Sequence, residues 1–362
     1  MDNTELLISQ SALLHNLDVI RKAAGGVRIL VNLKADAYGL GAALLGSFLD
    51  GRVDYFSVAQ AGEGLRLREA GVRGPVMVYQ PPVEPDEAFF RARLEPVLYD
   101  SGQVRHYDKV MTSLGLRDYP VHAKLDTGMR RSGADSSAHR RLAEAIHRAG
   151  SMRLVSVFSH LAAADDPAED AFTRQQISTF REMLAIWHGL FPGVWAHLAN
   201  TAAIFRFPEA HFQMVRPGIS LYGFHTLMDR APGLRPVAEW RARIAMIKKV
   251  RTGDTVGYNR RYRVEHDMDL AVVPVGYADG LRRKLGEAGI AFRREDCRLP
   301  VVGRISMDMT TVAIPDTCRL SRGDWVTVMD GRDVQEWARL LDTIPYEILT
   351  SLGRRIPRKW AP

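Results

Sequence analysis

The chain has 362 residues, 46% of them hydrophobic and 25% charged, which is the composition of a folded globular protein and excludes a disordered or fibrous one. Its net charge of +7 comes from 49 basic residues interleaved with 42 acidic ones, without a nucleic-acid-binding motif, so we expect no nucleic-acid partner. No apolar run reaches the roughly 20 residues of a membrane span, and the N-terminus lacks the layout of a secretory signal. With only Cys297 and Cys318, the sequence argues against a disulfide scaffold or a zinc cluster and favours a cytoplasmic protein without membrane contact.

Eight short apolar segments follow one another through the first two thirds of the chain, and most gaps between them have room for a helix. Helical periodicity is visible in SALLHNLDVIRKA before the first segment and in SSAHRRLAEAIHRAG after the fifth. Eight mostly parallel strand–helix units are typical of a TIM-type (β/α)8 barrel. The segments are VRILVNL from Val27, YFSVAQ from Tyr55, PVMVYQ from Pro75, EPVLYD from Glu95, PVHAKLD from Pro120, LVSVFSH from Leu154, VWAHLA from Val194 and FQMVRPG from Phe212.

After about Gly233 the helical periodicity fades and β-rich pieces separated by short turns take over, among them LAVVPVGYADG and GDWVTVMD. We predict a mainly β domain here, closed by a helix around Val334–Leu341. The chain as a whole is therefore predicted to be an α/β protein. Its N-terminal, cofactor-binding barrel would cover residues 1–232, with the first residues able to join the β domain, and the C-terminal β domain would cover residues 233–362.

Polar residues stand where the active site of such a barrel lies, at the carboxyl ends of the strands. Ionisable or hydroxyl side chains at five strand ends are more than packing requires, so together they favour a functional site. They are Lys34 after the first segment, Lys124 and Asp126 in the fifth, His160 in the sixth, His197, Asn200 and Thr201 in the seventh, and Arg216 with Gly218 in the eighth.

A lysine at the end of an apolar strand, such as Lys34, is either an ion-pair partner or an amine nucleophile that adds to a carbonyl group. The segment RPGISLYG from Arg216 offers a turn whose backbone N–H groups can face phosphate oxygens, and Tyr38 and Thr201 can add hydroxyl donors. Motifs for dinucleotides or nucleoside triphosphates are lacking. A nucleophilic lysine with a phosphate cradle suggests pyridoxal 5'-phosphate, with sugar-phosphate aldolase chemistry as a rival interpretation.

The chain resembles the alanine racemases, which are fold-type III pyridoxal phosphate enzymes, along nearly its whole length. VNLKADAYGLG is similar to their cofactor-lysine motif, KLDTGMRRSG to their K-x-D-T-G-M-x-R-x-G segment, and FSHLAAADD to their histidine-bearing loop. The segments HLANTAA, VRPGISLYG, VGYNRRY, VPVGYADGLRR, VGRISMDM and RRIPR follow in the order of that family. The resemblance implies an isomerase, a pyridoxal phosphate-dependent racemase that interconverts L- and D-alanine.

The resemblance also implies a two-base mechanism, in which one base removes the α-proton and the other returns it on the opposite face. Lys34 would hold the cofactor and serve as one base, and Tyr258 of the partner subunit would serve as the other. His160 would supply a proton path, and Arg216 would contact the pyridine nitrogen. Because Tyr258 would act across an interface, a head-to-tail homodimer with active sites at that interface is implied.

Further residues are assigned to the site by the same resemblance. Lys124 would be carbamylated and would then attract and orient Arg131, or it would remain an ordinary lysine paired with Asp126. The implied cofactor contacts are Lys34, Tyr38, His160, Asn200, Thr201, Arg216, Gly218, Ile219 and Arg354. The implied substrate contacts are Arg131, Tyr258, Met307 and Asp308, and the entrance would be lined by Asp165, Tyr277 and Arg283.

Departures from the family pattern leave the substrate open. Asp36 replaces an asparagine, and a carboxylate near Lys34 would raise the pKa of the lysine unless cations offset it. Leu40 replaces a histidine, and Thr201 replaces a serine but keeps the hydroxyl. Arg354 replaces a tyrosine that touches the phosphate and narrows the substrate pocket, so it either keeps the phosphate contact or admits serine or another larger or polar amino acid. A lyase, an epimerase or a non-catalytic pyridoxal phosphate protein is a further alternative, against which Tyr258 and the second domain argue.

Overall fold

The computed structural model describes residues 3–227 and 233–362, and its contacts divide the chain into two compact units. The barrel unit combines His15–Ala37 with Ala42–Leu234, and the β unit combines the N-terminal 14 residues, Tyr38–Gly41 and Arg235–Pro362. The boundary expected between residues 232 and 233 lies outside the described residues. No helix in the described ranges is long and apolar enough to span a bilayer.

Strand β1 (Thr4–Ile8) belongs to the β unit, and all eight predicted barrel segments form strands of one parallel sheet in the barrel unit. Their residues alternate in direction, and both faces are largely buried, as expected for a sheet that curls around its own core. The strands are β2 (Arg28–Asn32), β3 (Tyr55–Gln60), β4 (Val76–Gln80), β5 (Leu94–Leu98), β6 (Tyr119–Lys124), β7 (Met152–Phe158), β8 (Trp195–His197) and β9 (Met214–Val215).

The sheet runs in the order β8-β7-β6-β5-β4-β3-β2-β9, and the two end strands approach each other. The backbone N–H of Gln213 donates to the carbonyl of Ala196 at 3.1 Å, and that of Arg216 donates to Ala199 at 3.0 Å. These bonds nearly close the barrel. Its interior is filled by a cluster of buried side chains, each stabilising the fold by roughly 1.5–3 kcal/mol. The cluster comprises Leu30, Tyr55, Met77, Val97, Val155, Phe158 and Met214.

Helices occupy the gaps between these strands, and acidic residues start two of them. Asp86 accepts the backbone N–H of Phe89 at 2.9 Å, and Asp100 accepts that of Gly102 at 2.7 Å, which satisfies amides that the first turn leaves free. The helices are α1 (Gln10–Ala24), α3 (Ala42–Leu49), α4 (Ala61–Glu69), α5 (Glu87–Arg91), α6 (Ser101–Ser113), α7 (His139–Arg148), α8 (Asp170–Leu190) and α9 (Thr201–Arg206), whereas α2 (Lys34–Tyr38) is a short left-handed turn.

Among its described residues, the β unit contains three sheets and the two α-helices that follow β18. The six-stranded sheet has the order β16-β15-β18-β10-β1-β19, the three-stranded sheet β11-β14-β17, and a hairpin joins β12 to β13. The elements are β10 (Ala238–Arg243), β11 (Met246–Val250), β12 (Thr255–Val256), β13 (Tyr262–Arg263), β14 (Met268–Val273), β15 (Ala291–Arg294), β16 (Cys297–Pro300), β17 (Thr310–Ile314), β18 (Trp325–Met329), α10 (Gly331–Leu340), α11 (Pro345–Thr350) and β19 (Arg358–Trp360).

The predicted α/β architecture, a barrel followed by a mainly β region, is confirmed by this arrangement. The helix predicted around Val334–Leu341 is α10, whereas α11 and β19 were not predicted. Strand β19 runs parallel to β1. This pairing joins the two ends of the chain within one sheet.

Cys297 and Cys318 form a disulfide within the β unit. An isolated bridge between Val301 and Val312 sets the end of β16 against β17. That register brings the start of β16 beside the segment that follows β17, and the two cysteine Cα atoms lie 5.9 Å apart. One bond is not a disulfide scaffold, but it removes the cysteine-based argument for a reducing compartment.

Candidate active site

Lys34 lies two residues beyond β2, where the backbone turns with left-handed geometry. The φ angles of Ala35, Asp36, Ala37 and Tyr38 are all between 51° and 58°, although none of the four is a glycine. Each L-residue in this conformation costs roughly 1–2 kcal/mol, so surrounding contacts must stabilise the turn. The N–H of Ala37 donates to the carbonyl of Leu33 at 2.8 Å. Strain of this kind is typical of functional sites.

Two carboxylates hold this turn in place. Glu63, on α4, accepts the backbone N–H of Ala35 at 2.6 Å, and its second oxygen accepts that of Ala59 at 2.7 Å. The Asp36 carboxylate accepts the backbone N–H of Ala42, the first residue of α3, at 2.7 Å. Asp36 therefore has a structural partner of its own at the start of a helix.

The pKa of Lys34 is lowered, mainly by burial and then by the positive charge of Arg131. Glu63 acts in the opposite direction and Arg216 adds to the lowering. The carboxylate that raises the pKa of the lysine is that of Glu63 rather than Asp36, and burial and the two arginines outweigh it. Sequence reasoning missed Glu63, since a residue 29 positions from Lys34 on a helix gives no local signal. A lowered pKa gives Lys34 more of the neutral amine that a nucleophile or base requires.

Arg216, just after β9, is buried in the mouth of the barrel. Its Nη2 donates to the carbonyls of Ser159 and Leu198 at 2.8 and 3.0 Å and lies 3.3 Å from His160 Nδ1. Its Nη1 lies 2.9 Å from His197 Nδ1. Because a guanidinium only donates, both imidazole Nδ1 atoms act as acceptors. Arg216 is thus fixed in direction by bonds to two strands and two rings.

Both histidines are neutral in this environment. Burial lowers the pKa of His160 and of His197 well below the usual value, and the charge of Arg216 is the next largest cause for each. A neutral ring that accepts at Nδ1 carries its proton on Nε2. His160 therefore presents an N–H on the side of the ring away from Arg216.

A turn after β9 offers donors for an anion. The carboxyl ends of β2 and β9 are adjacent, since the backbone and side-chain amides of Asn32 donate to Pro217 at 3.3 and 3.0 Å. The N–H of Gly218 donates to the Thr201 hydroxyl at 3.0 Å, and that hydroxyl lies 3.2 Å from the hydroxyl of Ser220. Among described residues, the N–H groups of Ile219 and Ser220 have no hydrogen-bond partner.

Asn200 and Tyr38 were predicted to contact the cofactor, and each has a structural role in the chain itself. The Asn200 side chain caps α9 by accepting the N–H of Ala203 at 3.1 Å, and it donates to Leu161 at 3.4 Å. The Tyr38 ring packs against Tyr346 within the β unit, with ring centroids 5.6 Å apart.

Lys124, the last residue of β6, is buried among cations. Burial, Arg216 and Arg131 lower its pKa to about 7, against a smaller opposing effect of Asp126. Its Nζ lies 5.3 Å from the ring centroid of Phe158. Within the described ranges it forms no ion pair with Asp126, whose Oδ1 instead accepts the N–H of Gly128 at 2.8 Å. Much of the amine is therefore neutral near pH 7.

Arg131 is exposed at the tip of a loop that returns to β6. The loop is closed by backbone bonds between Lys124 and Ala134 at 2.9 Å and between Asp126 and Ala134 at 3.0 Å. Gly133 makes this closure possible, because its φ is +112° and a Cβ there would meet the Leu125 carbonyl carbon at 2.7 Å. Arg131 acts electrostatically on Lys34, Lys124 and His160 together.

In the β unit, Tyr258 projects into solvent with 63% of its surface exposed. It lies between β12 and β13, preceded by Gly257 at φ +75° and followed by Asn259 at φ +60°. A Cβ at Gly257 would lie 3.2 Å from the backbone N of Arg304, so the turn packs closely on its neighbour. The aromatic side chain is thus carried on a constrained turn and is free to meet another molecule.

Three predicted segments of the β unit meet around Arg355. Arg355 forms ion pairs with Asp279 at 2.5 Å and with Asp308 at 2.7 Å. The N–H of Tyr277 donates to Ser306 at 3.0 Å, which joins the segment carrying Tyr277 to the one carrying Met307. Gly276 is required there, because a Cβ would come within 2.3 Å of the Met307 carbonyl oxygen.

Met307 is 53% exposed, and its N–H has no partner among described residues. Arg354 is exposed too and, within the described chain, forms no hydrogen bond or ion pair, in contrast to Arg355. Asp308, predicted to bind substrate, forms an ion pair with Arg355. Arg283 is an exposed residue of the β unit, and Asp165 is a half-buried residue of the barrel unit beyond β7. The two predicted entrance residues therefore belong to different units.

Lys34, Lys124, Arg131 and Arg216 thus form one cationic cluster, next to the neutral His160, at the carboxyl ends of the strands and beside a turn with free amides. Fold and site define a (β/α)8 barrel enzyme built around a half-buried lysine and a turn with free backbone amides. The alanine racemase N-terminal domain model matches residues 8–226, and the C-terminal domain model matches residues 237–360. The chain belongs to the alanine racemase family, as its motifs predicted.

Relatives match along the whole chain. It is 35% identical to the alanine racemase of Sorangium cellulosum, with 99% of both chains covered, and 33% identical to that of Treponema denticola, covering 99% of this chain and 98% of the relative. The alanine racemase of Clostridium difficile 630 superposes with a TM-score of 0.92 at 29% identity, over 98% of this chain and 95% of that one. The prediction of an enzyme, an isomerase of the racemase type, is confirmed.

A further neighbour bears on the cofactor. The crystal structure of alanine racemase from Bartonella henselae with covalently bound pyridoxal phosphate has a TM-score of 0.85 and 26% identity, and each chain is covered over 100% of its length. The covalent link is a property of that protein. In the present chain, the fit of such a cofactor can be tested at Lys34, at Arg216 and at the turn around Gly218.

Proposed function

We propose that this protein is a pyridoxal phosphate-dependent alanine racemase that interconverts L- and D-alanine. The observation that carries the proposal is the half-buried Lys34, whose pKa is lowered, held on a strained turn next to a turn with free backbone amides. An ordinary structural lysine would have a carboxylate partner and no need of a left-handed turn. Full-length similarity to enzymes named alanine racemases supports the same reaction and substrate.

The residues present fit pyridoxal phosphate. Lys34 supplies an amine for the aldehyde, Arg216 supplies a guanidinium for the pyridine nitrogen, and the amides of Ile219 and Ser220 with the Thr201 hydroxyl supply donors for the phosphate. When bound, the cofactor withdraws electrons from the α-carbon of the amino acid and so acidifies its proton. Arg216 keeps its own proton, which limits that withdrawal and favours simple proton exchange over transamination.

Two bases on opposite faces of the substrate would carry the proton exchange. Lys34 is one, because burial and neighbouring cations favour its neutral amine. Tyr258 of the partner subunit is the other, since Tyr258 is exposed and held on a constrained turn in its own chain. The protonated Nε2 of His160 can hydrogen-bond the hydroxyl of that tyrosine and steady its charged form. This arrangement requires a homodimer.

Arg131 would bind the substrate carboxylate together with the N–H of Met307. The positive charge of the cationic cluster must be balanced for this, and carbamylation of Lys124 would supply a balancing negative charge. The neutral amine nitrogen attacks carbon dioxide, forms the C–N bond and releases one proton, which turns a neutral amine into an anion beside Arg131. The pKa of about 7 makes Lys124 a competent nucleophile for this step.

A second candidate substrate is favoured by Arg354, an exposed guanidinium without a partner in the described chain. If it binds the cofactor phosphate, alanine remains the substrate. If it points into the substrate pocket, serine or another polar amino acid is preferred.

The proposal is tested by α-proton exchange in heavy water, followed by NMR, with pyridoxal phosphate and a panel of L-amino acids. Chiral analysis of the products accompanies the exchange. We expect deuterium at the α-carbon of alanine and formation of D-alanine. Exchange with serine alone would replace alanine by the second candidate, and the absence of exchange with every amino acid would refute the racemase.

A further inference from the structure

A line of buried polar groups crosses the barrel interior from its mouth to its base. It starts at Arg216 and His197 and continues to Ser156 on β7, whose Oγ lies 2.9 Å from His197 Nε2. Ser156 Oγ lies 2.7 Å from Nδ1 of His122 on β6, and His122 Nε2 lies 2.9 Å from the carboxylate of Glu95 on β5. The two histidines and Ser156 are fully buried, and Glu95 is 7% exposed.

Hydrogen-bond chemistry gives this line one direction. Arg216 can only donate, so His197 accepts at Nδ1 and, as a neutral ring, donates from Nε2 to Ser156. The Ser156 hydroxyl has one proton, which therefore goes to His122 Nδ1. His122 then carries its proton on Nε2 and donates to the Glu95 carboxylate, which only accepts. The guanidinium at one end and the carboxylate at the other are both satisfied by this one sequence of donors and acceptors.

The strand positions explain why the line reaches the site. Glu95 is the second residue of β5, near the amino end of the barrel, whereas His197 is the last residue of β8. His122 pairs with Ser156 across β6 and β7, so the line descends one strand at a time. An apolar barrel core does not require these groups, and a half-satisfied buried network is destabilising. Their complete pairing indicates a role beyond packing.

We propose that Glu95, His122 and Ser156 are positioning residues that fix the tautomer of His197 and thereby the direction of the Arg216 donors. None of the three contacts the mouth of the barrel, so they act only through Arg216. Loss of the carboxylate lets His122 carry its proton on Nδ1, and the reversed line then sets the His197 Nδ1–H against the Arg216 N–H. Two opposed donors displace the guanidinium.

The test uses two variants that break the line and two that do not. Glu95→Leu removes the terminal acceptor, and Ser156→Ala removes the middle link. Glu95→Gln keeps an acceptor oxygen for His122. Thr173→Val is the matched control for loss of a buried hydroxyl, because Thr173 Oγ1 is buried without a partner among the described residues and lies on α8.

Histidine side-chain 15N NMR of the purified protein reads the tautomers directly, with His122 and His197 assigned by replacing each ring. We expect protons on Nε2 alone in the wild type and in Glu95→Gln, a His122 proton on Nδ1 in Glu95→Leu, and shifted His197 signals in Ser156→Ala. Wild-type His197 protonated on Nδ1 would overturn the proposal. This readout needs no substrate, so it stands even if the proposed racemase activity is not found.

The effect on turnover rests on the proposed function. Residues that orient a contacting group typically change activity by 10-fold or more, so we expect kcat to fall by about 10-fold in Glu95→Leu and Ser156→Ala. The KM for alanine should be unchanged, and Glu95→Gln and Thr173→Val should retain wild-type kcat. If Glu95→Leu does not fold, Ser156→Ala decides alone. Wild-type kcat together with unmoved His197 signals in Ser156→Ala would refute the proposal.

Discussion

Neighbouring cations shift the pKa values of the site residues more than carboxylates do. Lys34, Lys124 and His160 each lose basicity through burial, and Arg131 and Arg216 lower all three pKa values further. Two arginines beside two lysines would repel without an anion. The cluster therefore has the charge that a phosphate, a substrate carboxylate or a carbamate can balance.

Lys124 should leave a signature in the pH dependence of stability. Its folded pKa is about 7 and its usual value is 10.5, so between these values the unfolded chain holds a proton that the folded chain has released. The free energy of unfolding then rises with pH across this window, by at most about 1.4 kcal/mol per unit. Lys124→Met should flatten that rise in urea titrations made in CO2-free buffer.

Lys22→Met, at an exposed position of α1, controls for the loss of one lysine and should follow the wild type. Parallel stability curves for Lys124→Met and the wild type would show that Lys124 titrates normally in the folded protein.

Arg354 allows a test of substrate choice. Arg354→Tyr should leave the preference among amino acids unchanged and weaken cofactor binding if the guanidinium holds the phosphate, since it replaces a charge-assisted bond by a neutral one worth about half as much. The measurement is kcat/KM for alanine and serine, with the affinity for pyridoxal phosphate. A switch from serine to alanine with unchanged cofactor affinity would place Arg354 in the substrate pocket instead. Arg322→Tyr, at an exposed position of the β unit, is a control.

Most of what could be predicted from the sequence concerns secondary-structure elements. The eight strands and their polar carboxyl ends are visible because apolar runs and strand-end residues are local signals. The left-handed turn is not, since ADAY contains no glycine to mark positive φ angles. Glu63 and Glu95 act from other elements, and their importance depends on tertiary contacts. The disulfide depends on the register of β16 with β17, which two isolated cysteines do not disclose.

The disulfide should stabilise the β unit measurably. It closes a loop with a sequence separation of 21, and restricting such a loop in the unfolded chain is worth about 3 kcal/mol. The double variant Cys297→Ser with Cys318→Ser should lower the free energy of unfolding by about that amount in urea titrations. Added reductant should lower the wild type to the level of the variant and leave the variant unchanged. Equal stability of the two proteins would show that the bond contributes nothing.

At the scale of the molecule, seven large apolar side chains are exposed in the described part of the β unit, and four of them lie on segments predicted to reach the active site or its entrance, a concentration that marks an interaction surface. The four are Tyr258, Tyr277, Met307 and Met309, with 43–63% of each side chain exposed. A second copy of the chain would cover them in the proposed homodimer.

Hybrid dimers test whether Tyr258 acts across that interface. Lys34→Ala and Tyr258→Phe should each be nearly inactive alone. After subunits are mixed in equal amounts and exchanged, about a quarter of all sites should combine an intact Lys34 with an intact Tyr258 from the other chain, because half of the symmetric dimers are hybrids. Racemisation should recover to about that fraction. No recovery, despite exchange shown by native mass spectrometry, would place both bases in one chain.

The buried line from Arg216 to Glu95 also restricts how the sequence can vary. A single replacement within it leaves a donor or an acceptor stranded in an apolar interior, which costs about 1–3 kcal/mol, whereas joint replacement by apolar residues does not. Glu95, Ser156 and His122 are therefore expected to be inherited as a set. A chimera that exchanges β5 alone would separate the carboxylate from its histidine, and a graft of β5 to β7 together would keep the set intact.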